Sequence, residues 1–133
     1  MQKKPHTNVV LYARQAVAGK KGSIETQLDR LTSLVEDRKH EGWTVKEKLA
    51  DPERSGFHTD RPAYRKLLKL VRSAKIDLVA VTRLDRLSRN VRDFARFLGE
   101  LDRRGVRLVT LDGGTDVATA LRLLAETKKR RRT

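Results

Sequence analysis

The run Val9-Val10-Leu11-Tyr12-Ala13 is continuously apolar and stops at the charged residue Arg14. An apolar run without polar alternation is typical of a central parallel strand that is covered on both faces. A glycine- and lysine-rich loop follows at residues 19–22, and Ser23 is a favourable N-cap for a helix that begins after it. This segment therefore predicts a buried strand followed by a helix.

The remainder of the chain continues to alternate between strand and helix patterns. Apolar residues recur at intervals of three and four in the helical segments, whereas the strands are short apolar runs or alternate with polar residues. Four strands alternating with four helices predict an α/β fold, an open and mostly parallel sheet of four to five strands with helices on both faces. The strands are predicted at residues 9–13, 43–49 (an edge strand), 76–81 and 106–111, and the helices at residues 24–42, 62–71, 87–101 and after 114.

The third predicted helix has two clearly different faces. On its polar face, arginines lie at helical spacing from acidic residues, so we expect ion pairs there rather than functional groups. Gly42 and Gly105 are expected to end the first and third helices. The apolar face comprises Leu87, Val91, Phe94, Leu98 and Leu101, and the polar pairs involve Asp93, Arg96, Glu100 and Arg103.

The composition excludes several classes of protein. A chain of 133 residues is long enough for one domain with a hydrophobic core. It contains no cysteine, which excludes disulfides, thiolate metal sites and cysteine nucleophiles, and its three histidines are widely separated. No apolar stretch approaches the ~20 residues of a membrane span, and the N-terminus lacks a secretory signal. We expect a cytoplasmic protein that has no membrane partner and no metal site.

The net charge is the strongest global signal. Lysine and arginine number 31 against 17 acidic residues, which gives a formal charge of +14. Such an excess indicates a polyanionic partner, most often nucleic acid. We expect one folded domain over residues 1–127 and a basic tail at residues 128–133, with no separate DNA-binding domain in this chain.

Charged residues follow several of the predicted strands. Arg14, Asp51 and residues 83–89 each come after one, and in open α/β sheets the functional crevice lies beyond the carboxyl ends of the strands. Phosphoryl transfer develops negative charge that several fixed arginines can stabilise. Asp85 can cap a helix, orient an arginine or donate a proton. The arginines that we place around a phosphate are Arg14, Arg61, Arg86 and Arg89.

These residues occur within an ordered set of motifs. In sequence order the set is Tyr12-x-Arg14, Gln27, Asp51 with Ser55-Gly56, Asp60-Arg61-Pro62, and Leu84-Asp85-Arg86-Leu87-Ser88-Arg89. The set resembles the catalytic domain of the serine recombinases, which include resolvases, invertases and large serine integrases. The resemblance covers about residues 8–126, and the last motif is the most specific.

The resemblance implies a mechanism. A serine hydroxyl attacks a DNA phosphodiester, leaving a phosphoserine on the 5′ end and a free 3′ hydroxyl. Subunits then exchange strands within a tetramer and rejoin them, without a metal or nucleotide cofactor. It implies DNA and related recombinase subunits as partners in integration, excision or inversion by phages and mobile elements. The four arginines would bind the phosphate, with Gln27, Asp51 and Asp85 in support.

The chain departs from this pattern at the nucleophile. The family serine falls on Ala16, which has no oxygen, so we predict that this chain neither cleaves nor transfers DNA strands. A deliberate serine-to-alanine replacement is favoured because every other site residue is present; the alternative is a natural relative that lost catalysis. Ser23 and Thr26 are poor substitutes because they lie beyond the loop at residues 19–22.

Several of these residues also have a purely structural explanation as an alternative to a role in the site. Asp51 precedes Pro52 and could belong to an ordinary turn, Asp85 could simply cap a helix, and Gln27 needs no special role on a helix. Tyr12 is expected to pack in the core near the site.

Alternative functions remain as well. One is a natural non-catalytic DNA-binding or assembly protein on the same fold. An unrelated nucleotide- or flavin-binding domain is disfavoured, because residues 19–22 lack the spacing of a P-loop. Serine recombinases normally continue into a long helix and a DNA-binding module, so we also expect weak sequence-specific binding from this chain.

Overall fold

The computed structural model describes residues 6–14, 23–52, 61–73, 75–83 and 91–111. Strands and helices alternate throughout these ranges, as the sequence pattern predicts. In chain order they are β1 (Thr7–Arg14), α1 (Ile24–Asp37), a 3-10 helix (Lys39–Glu41), β2 (Trp43–Asp51), α2 (Pro62–Arg72), β3 (Leu78–Val81), α3 (Val91–Arg104) and β4 (Arg107–Thr110).

The strands form one sheet in the order β2-β1-β3-β4. Every neighbouring pair is parallel, so all four strands end at the same edge of the sheet. The apolar strand β1 lies between β2 and β3, and the alternating strand β2 lies at an edge of the described sheet. The predicted open parallel sheet is therefore confirmed.

The continuous apolar run of β1 contributes to two separate cores. Successive side chains of a strand point to opposite faces, so Val10 and Tyr12 pack in one core whereas Val9 and Leu11 pack in the other. The first core is completed by residues of α2 and α3, and the second by Leu31 and Val35 of α1. Helices therefore cover both faces of the sheet, which explains why β1 has no polar alternation.

The starts and ends of the helices follow local chemistry. The Ser23 hydroxyl accepts a hydrogen bond from the Thr26 amide at 3.3 Å and caps α1. Gly105 has a φ of 70° and ends α3, as expected. Gly42, expected to end the first helix, instead follows the 3-10 helix with a φ of 92°, because α1 stops at Asp37.

Two details of the core differ from the sequence prediction. Phe97 is 1% exposed although the predicted apolar face of the third helix omitted it, because that face is wider than a single four-three stripe. The strand predicted from residue 76 begins at Leu78, and the exposed Asp77 accepts a hydrogen bond from the Asn8 amide at 2.8 Å. Glu100 pairs with Arg103 at 3.2 Å, as predicted, and also with Arg72 at 3.4 Å.

Other predicted features lie outside the described residues. These are Leu87, the turn at residues 112–114, the last helix and the basic run. Among the described helices, none is both long enough and apolar enough to cross a membrane.

Candidate active site

The parallel register of β1 and β2 brings two charged residues of the predicted site together. Arg14 and Asp51 are paired positions at the carboxyl ends of these strands. Arg14 is 7% exposed and Asp51 is 3% exposed, and a charge buried to this extent is costly unless polar groups surround it. The partners of both residues therefore define the site.

The Asp51 carboxylate accepts three hydrogen bonds from residues that the structure describes. Its Oδ1 accepts from the Ala63 amide at 2.9 Å, and its Oδ2 accepts from the Tyr64 amide at 2.9 Å. These amides belong to the first turn of α2, which begins at Pro62 and leaves its first N–H groups without partners inside the helix. Asp51 thus caps α2 from the end of a different element, and its negative charge lies where the helix dipole favours it.

The third hydrogen bond to Asp51 comes from Tyr12. The Tyr12 hydroxyl donates to Asp51 Oδ2 at 2.6 Å and accepts from Arg61 Nη2 at 3.0 Å. Burial and the hydrogen bond to Asp51 raise the pKa of Tyr12 above its ordinary value, although the Arg61 charge opposes this shift. Tyr12 therefore stays neutral and bridges a carboxylate to a guanidinium.

Arg61 also lies against two aromatic rings. Its guanidinium carbon is 4.0 Å from the centroid of the Tyr64 ring and 5.8 Å from that of Tyr12. Both distances fall within the range of a cation–π interaction. Arg61 is the residue that immediately precedes α2, so the cap that Asp51 provides also fixes the backbone from which this arginine extends.

Gln27 of α1 is hydrogen-bonded to the backbone of Arg14 at two points. Its Nε2 donates to the Arg14 carbonyl at 3.1 Å, and its Oε1 accepts from the Arg14 amide at 3.3 Å. The pairing of β3 with β1 extends only to Leu11, so the last residues of β1 need polar partners from elsewhere. Gln27 is 2% exposed and supplies them.

The structure thus describes half of the predicted site. Arg14, Gln27, Asp51 and Arg61 converge at the carboxyl edge of the sheet through the contacts given above. Ala16, Asp85, Arg86 and Arg89 lie outside the described residues. Arg83 is exposed and lies two residues after the end of β3.

Sequence reasoning missed the polar roles of two tyrosines. Tyr12 packs in the core, as expected, but its hydroxyl also connects Asp51 and Arg61. Tyr64 lies in the segment predicted as the second helix and was not among the predicted site residues. The spacing of three residues between Arg61 and Tyr64 was the available signal, because Arg61 immediately precedes α2 and Tyr64 lies in its first turn.

The described part of the site has a definite chemical character. Its carboxylate is engaged by two amides and a hydroxyl, and it is accompanied by two arginines and a neutral tyrosine. Guanidinium groups of this kind bind phosphate oxygens with defined geometry.

Comparison with known proteins connects this geometry with a family. The family model described as "Resolvase, N terminal domain" matches residues 9–129. The chain is 33% identical over 75 residues to the serine recombinase gin of Escherichia phage Mu, a match that covers 56% of this chain and 38% of the relative. It is 36% identical over 89 residues to the transposon Tn552 resolvase of Staphylococcus aureus, covering 67% of this chain and 43% of that protein. The chain therefore spans less than half the length of these relatives.

A solved structure shows the same architecture. The N-terminal catalytic domain of TP901-1 integrase superimposes with a TM-score of 0.73 and 27% sequence identity. The match covers 95% of this chain and 97% of that domain. The resemblance inferred from the ordered motifs is confirmed, and the chain belongs to the resolvase N-terminal domain family, the catalytic domain of serine recombinases.

Proposed function

We propose that this chain is the catalytic domain of a site-specific DNA recombinase and that Ala16 leaves it unable to cleave DNA. The observation that carries the proposal is the convergence of Arg14 and Arg61 at the carboxyl edge of the sheet, with Asp51, Tyr12 and Gln27 holding them in place. Its partners are DNA and other recombinase subunits.

The arginines bind the phosphate that is to be cleaved. Arg14 contributes from the end of β1 and Arg61 from the start of α2. Arg86 and Arg89 contribute from the segment between β3 and α3. Together they offset the negative charge that develops on the non-bridging oxygens during transfer. Asp85 orients this second pair of arginines or donates the proton to the leaving oxygen.

Asp51 and Gln27 position these cations rather than contact DNA. Asp51 fixes the start of α2 and, through Tyr12, the Arg61 guanidinium. Gln27 fixes the backbone of Arg14, two residues before position 16.

The reaction proceeds only with a hydroxyl at position 16. The hydroxyl gives up its proton as its oxygen forms a bond to phosphorus, the bond from phosphorus to the 3′ oxygen breaks, and that leaving oxygen takes up a proton. The resulting phosphoserine retains a phosphoester bond, so rejoining needs no metal or nucleotide cofactor. The methyl group of Ala16 can occupy the position of the serine side chain but cannot make this bond.

The presence of alanine at position 16 also favours one alternative. A natural relative that lost catalysis would still bind DNA or assemble with active subunits. The two possibilities differ in what happens when the hydroxyl is restored.

The test is therefore the substitution Ala16→Ser in a chain joined to a DNA-binding module of known specificity. The substrates are duplexes in which two module sites flank varied central sequences. We expect a covalent protein–DNA adduct that survives denaturation with Ala16→Ser, and none with the parent or with Ala16→Gly. An equal absence of adduct in all three proteins, despite equal binding to the duplex, would favour the non-catalytic alternative.

A second pair of substitutions tests the proposed phosphate ligands. In the Ala16→Ser protein, Arg86→Ala and Arg89→Ala should each abolish the adduct and leave the thermal unfolding midpoint unchanged. An exposed arginine of the ion pairs on α3, Arg103→Ala, provides the matched control and should retain adduct formation. Full activity in both Arg86→Ala and Arg89→Ala would reject the assignment.

A further inference from the structure

The aromatic ring that contacts Arg61 is itself held on several sides. The Tyr64 amide is bonded to Asp51 at 2.9 Å. Its ring packs edge-on against Tyr12 with centroids 6.0 Å apart, and against Phe97 of α3 with centroids 5.6 Å apart. The ring therefore has little freedom to move relative to the sheet or to α3.

The Arg61 guanidinium lies on this fixed ring. The distance of 4.0 Å between its central carbon and the ring centroid is close contact, and Nη2 simultaneously donates to Tyr12. The two contacts together restrain both the position and the orientation of the guanidinium plane. Burial raises the pKa of Tyr64 to about 12 despite the opposing charge of Arg61, so the ring remains neutral around Arg61 at physiological pH.

We propose that Tyr64 is a positioning residue that holds Arg61 ready to bind an anion, through its ring rather than its hydroxyl. The inference rests on the proposed function in taking Arg61 to be a phosphate ligand. An arginine that is already ordered loses less side-chain freedom on binding, and immobilising a side chain of this type costs about 0.5–1.5 kcal/mol. Removing the ring should therefore weaken phosphate binding about 2- to 10-fold.

The variants separate the ring, the hydroxyl and general stability. Tyr64→Phe keeps the ring and removes only the hydroxyl, whereas Tyr64→Leu keeps an apolar side chain and removes the ring. Val71→Ala is the matched control, because Val71 is buried in the same core and lies about two turns further along α2. It lowers stability without touching the stack.

The first measurement uses the chain as it stands, with inorganic phosphate as the probe. The side-chain resonances of Arg61 should be displaced by ring currents in the parent, Tyr64→Phe and Val71→Ala proteins, and displaced much less in Tyr64→Leu, where only the more distant Tyr12 ring remains. The phosphate dissociation constant, followed through the same resonances, should rise only in Tyr64→Leu. Undisplaced resonances in the parent, or equal phosphate affinity in all four proteins, would overturn the inference.

The second measurement uses the Ala16→Ser background. Tyr64→Leu should lower the rate of adduct formation at saturating DNA about 2- to 10-fold, Tyr64→Phe should restore it, and Val71→Ala should leave it unchanged. An equal loss in Tyr64→Leu and Val71→Ala would show a merely structural role and reject the inference. If Ala16→Ser itself forms no adduct, the proposed function fails, and the phosphate titration alone decides the role of Tyr64.

Discussion

At the scale of single residues, the buried hydroxyl of Tyr12 connects two charged residues of the site, Asp51 and Arg61. Asp51 ends β2 and Arg61 precedes α2, so the two residues belong to separate elements. The carboxylate is bonded to the hydroxyl and the hydroxyl is bonded to the guanidinium. A neutral group between the charges leaves the cation less neutralised than a direct ion pair would.

The neutrality of both tyrosines gives the first prediction. Tyr12 and Tyr64 are the two tyrosines of the chain, and burial raises the pKa of each above the ordinary value of 10.0. We expect no tyrosinate absorbance from the folded protein through pH 10, with ionisation of Tyr64 centred at about 12. A spectrophotometric titration checks this, and a folded protein in which both rings titrate at their ordinary value would contradict it.

The raised pKa values of the two tyrosines also determine how the stability of the fold changes at alkaline pH. The unfolded chain releases its tyrosine protons near pH ~10, whereas the folded chain retains them to higher pH. The free energy of unfolding should therefore be insensitive to these groups below that pH and fall as the pH rises toward about 12. Tyr64→Phe should reduce the steepness of this fall in urea unfolding measured at successive pH values.

Gln27 gives a prediction about the backbone of Arg14. Gln27→Leu leaves the amide and carbonyl of Arg14 without these buried partners, which should lower the free energy of unfolding by about 1–3 kcal/mol. Gln27→Glu retains an acceptor for the amide but buries a carboxylate beside the Arg14 carbonyl oxygen, so its effect should be at least as large. Urea unfolding measures both, and equal stability of Gln27→Leu and the parent would show that the two-point contact contributes nothing.

At the scale of elements, the first turn of α2 is capped by Asp51, the last residue of strand β2. Removing the carboxylate with Asp51→Ala deprives the first turn of its acceptor and leaves the Tyr12 hydroxyl without one. We expect a loss of about 2–4 kcal/mol in the free energy of unfolding. Amide hydrogen exchange at Ala63 and Tyr64 should also accelerate, whereas the exposed carboxylate of Asp37 should be replaceable by asparagine without effect.

Gly99 within α3 and Gly105 directly after it give a matched pair of predictions of opposite sign. A Cβ added at Gly99 would meet nothing within 4 Å, so Gly99→Ala should stabilise this helix by about 0.5–1 kcal/mol. Gly105 has equal space but a φ of +70°, where an L side chain is strained, so Gly105→Ala should destabilise by about 1 kcal/mol. The two urea midpoints should shift in opposite directions; shifts of the same sign would contradict the assigned backbone conformation.

At the scale of the whole molecule, the positive charge predicts how binding responds to salt. With a formal charge of +14, affinity for duplex DNA should fall steeply as salt rises, because binding releases counterions. Arg61→Gln should reduce the slope of log affinity against log salt by about 1 if Arg61 contacts a phosphate. Lys39→Gln, in the exposed 3-10 helix that precedes β2, should leave this slope unchanged. Fluorescence anisotropy on a labelled duplex measures the slope for both variants. Equal slopes would argue against a contact at Arg61.

The sequence predicted the architecture well because its signals are local. The unbroken apolar run of β1 identified a strand covered on both faces, and the parallel alternation placed Arg14 and Asp51 at one edge. Hydrogen bonds between distant residues had no such signal. The capping of α2 by Asp51 and the hydrogen bonds of Gln27 to the Arg14 backbone depend on how the elements pack, which neither spacing nor composition specifies.

The identity of the attacking group is the central chemical claim, and the site of attachment on an adduct tests it directly. The adduct formed by the Ala16→Ser chain should be digested with nuclease and protease and examined by tandem mass spectrometry. We predict a nucleotide linked through its 5′ phosphate to the residue at position 16. A nucleotide found instead on Ser23, Thr26 or Ser88 would contradict the account.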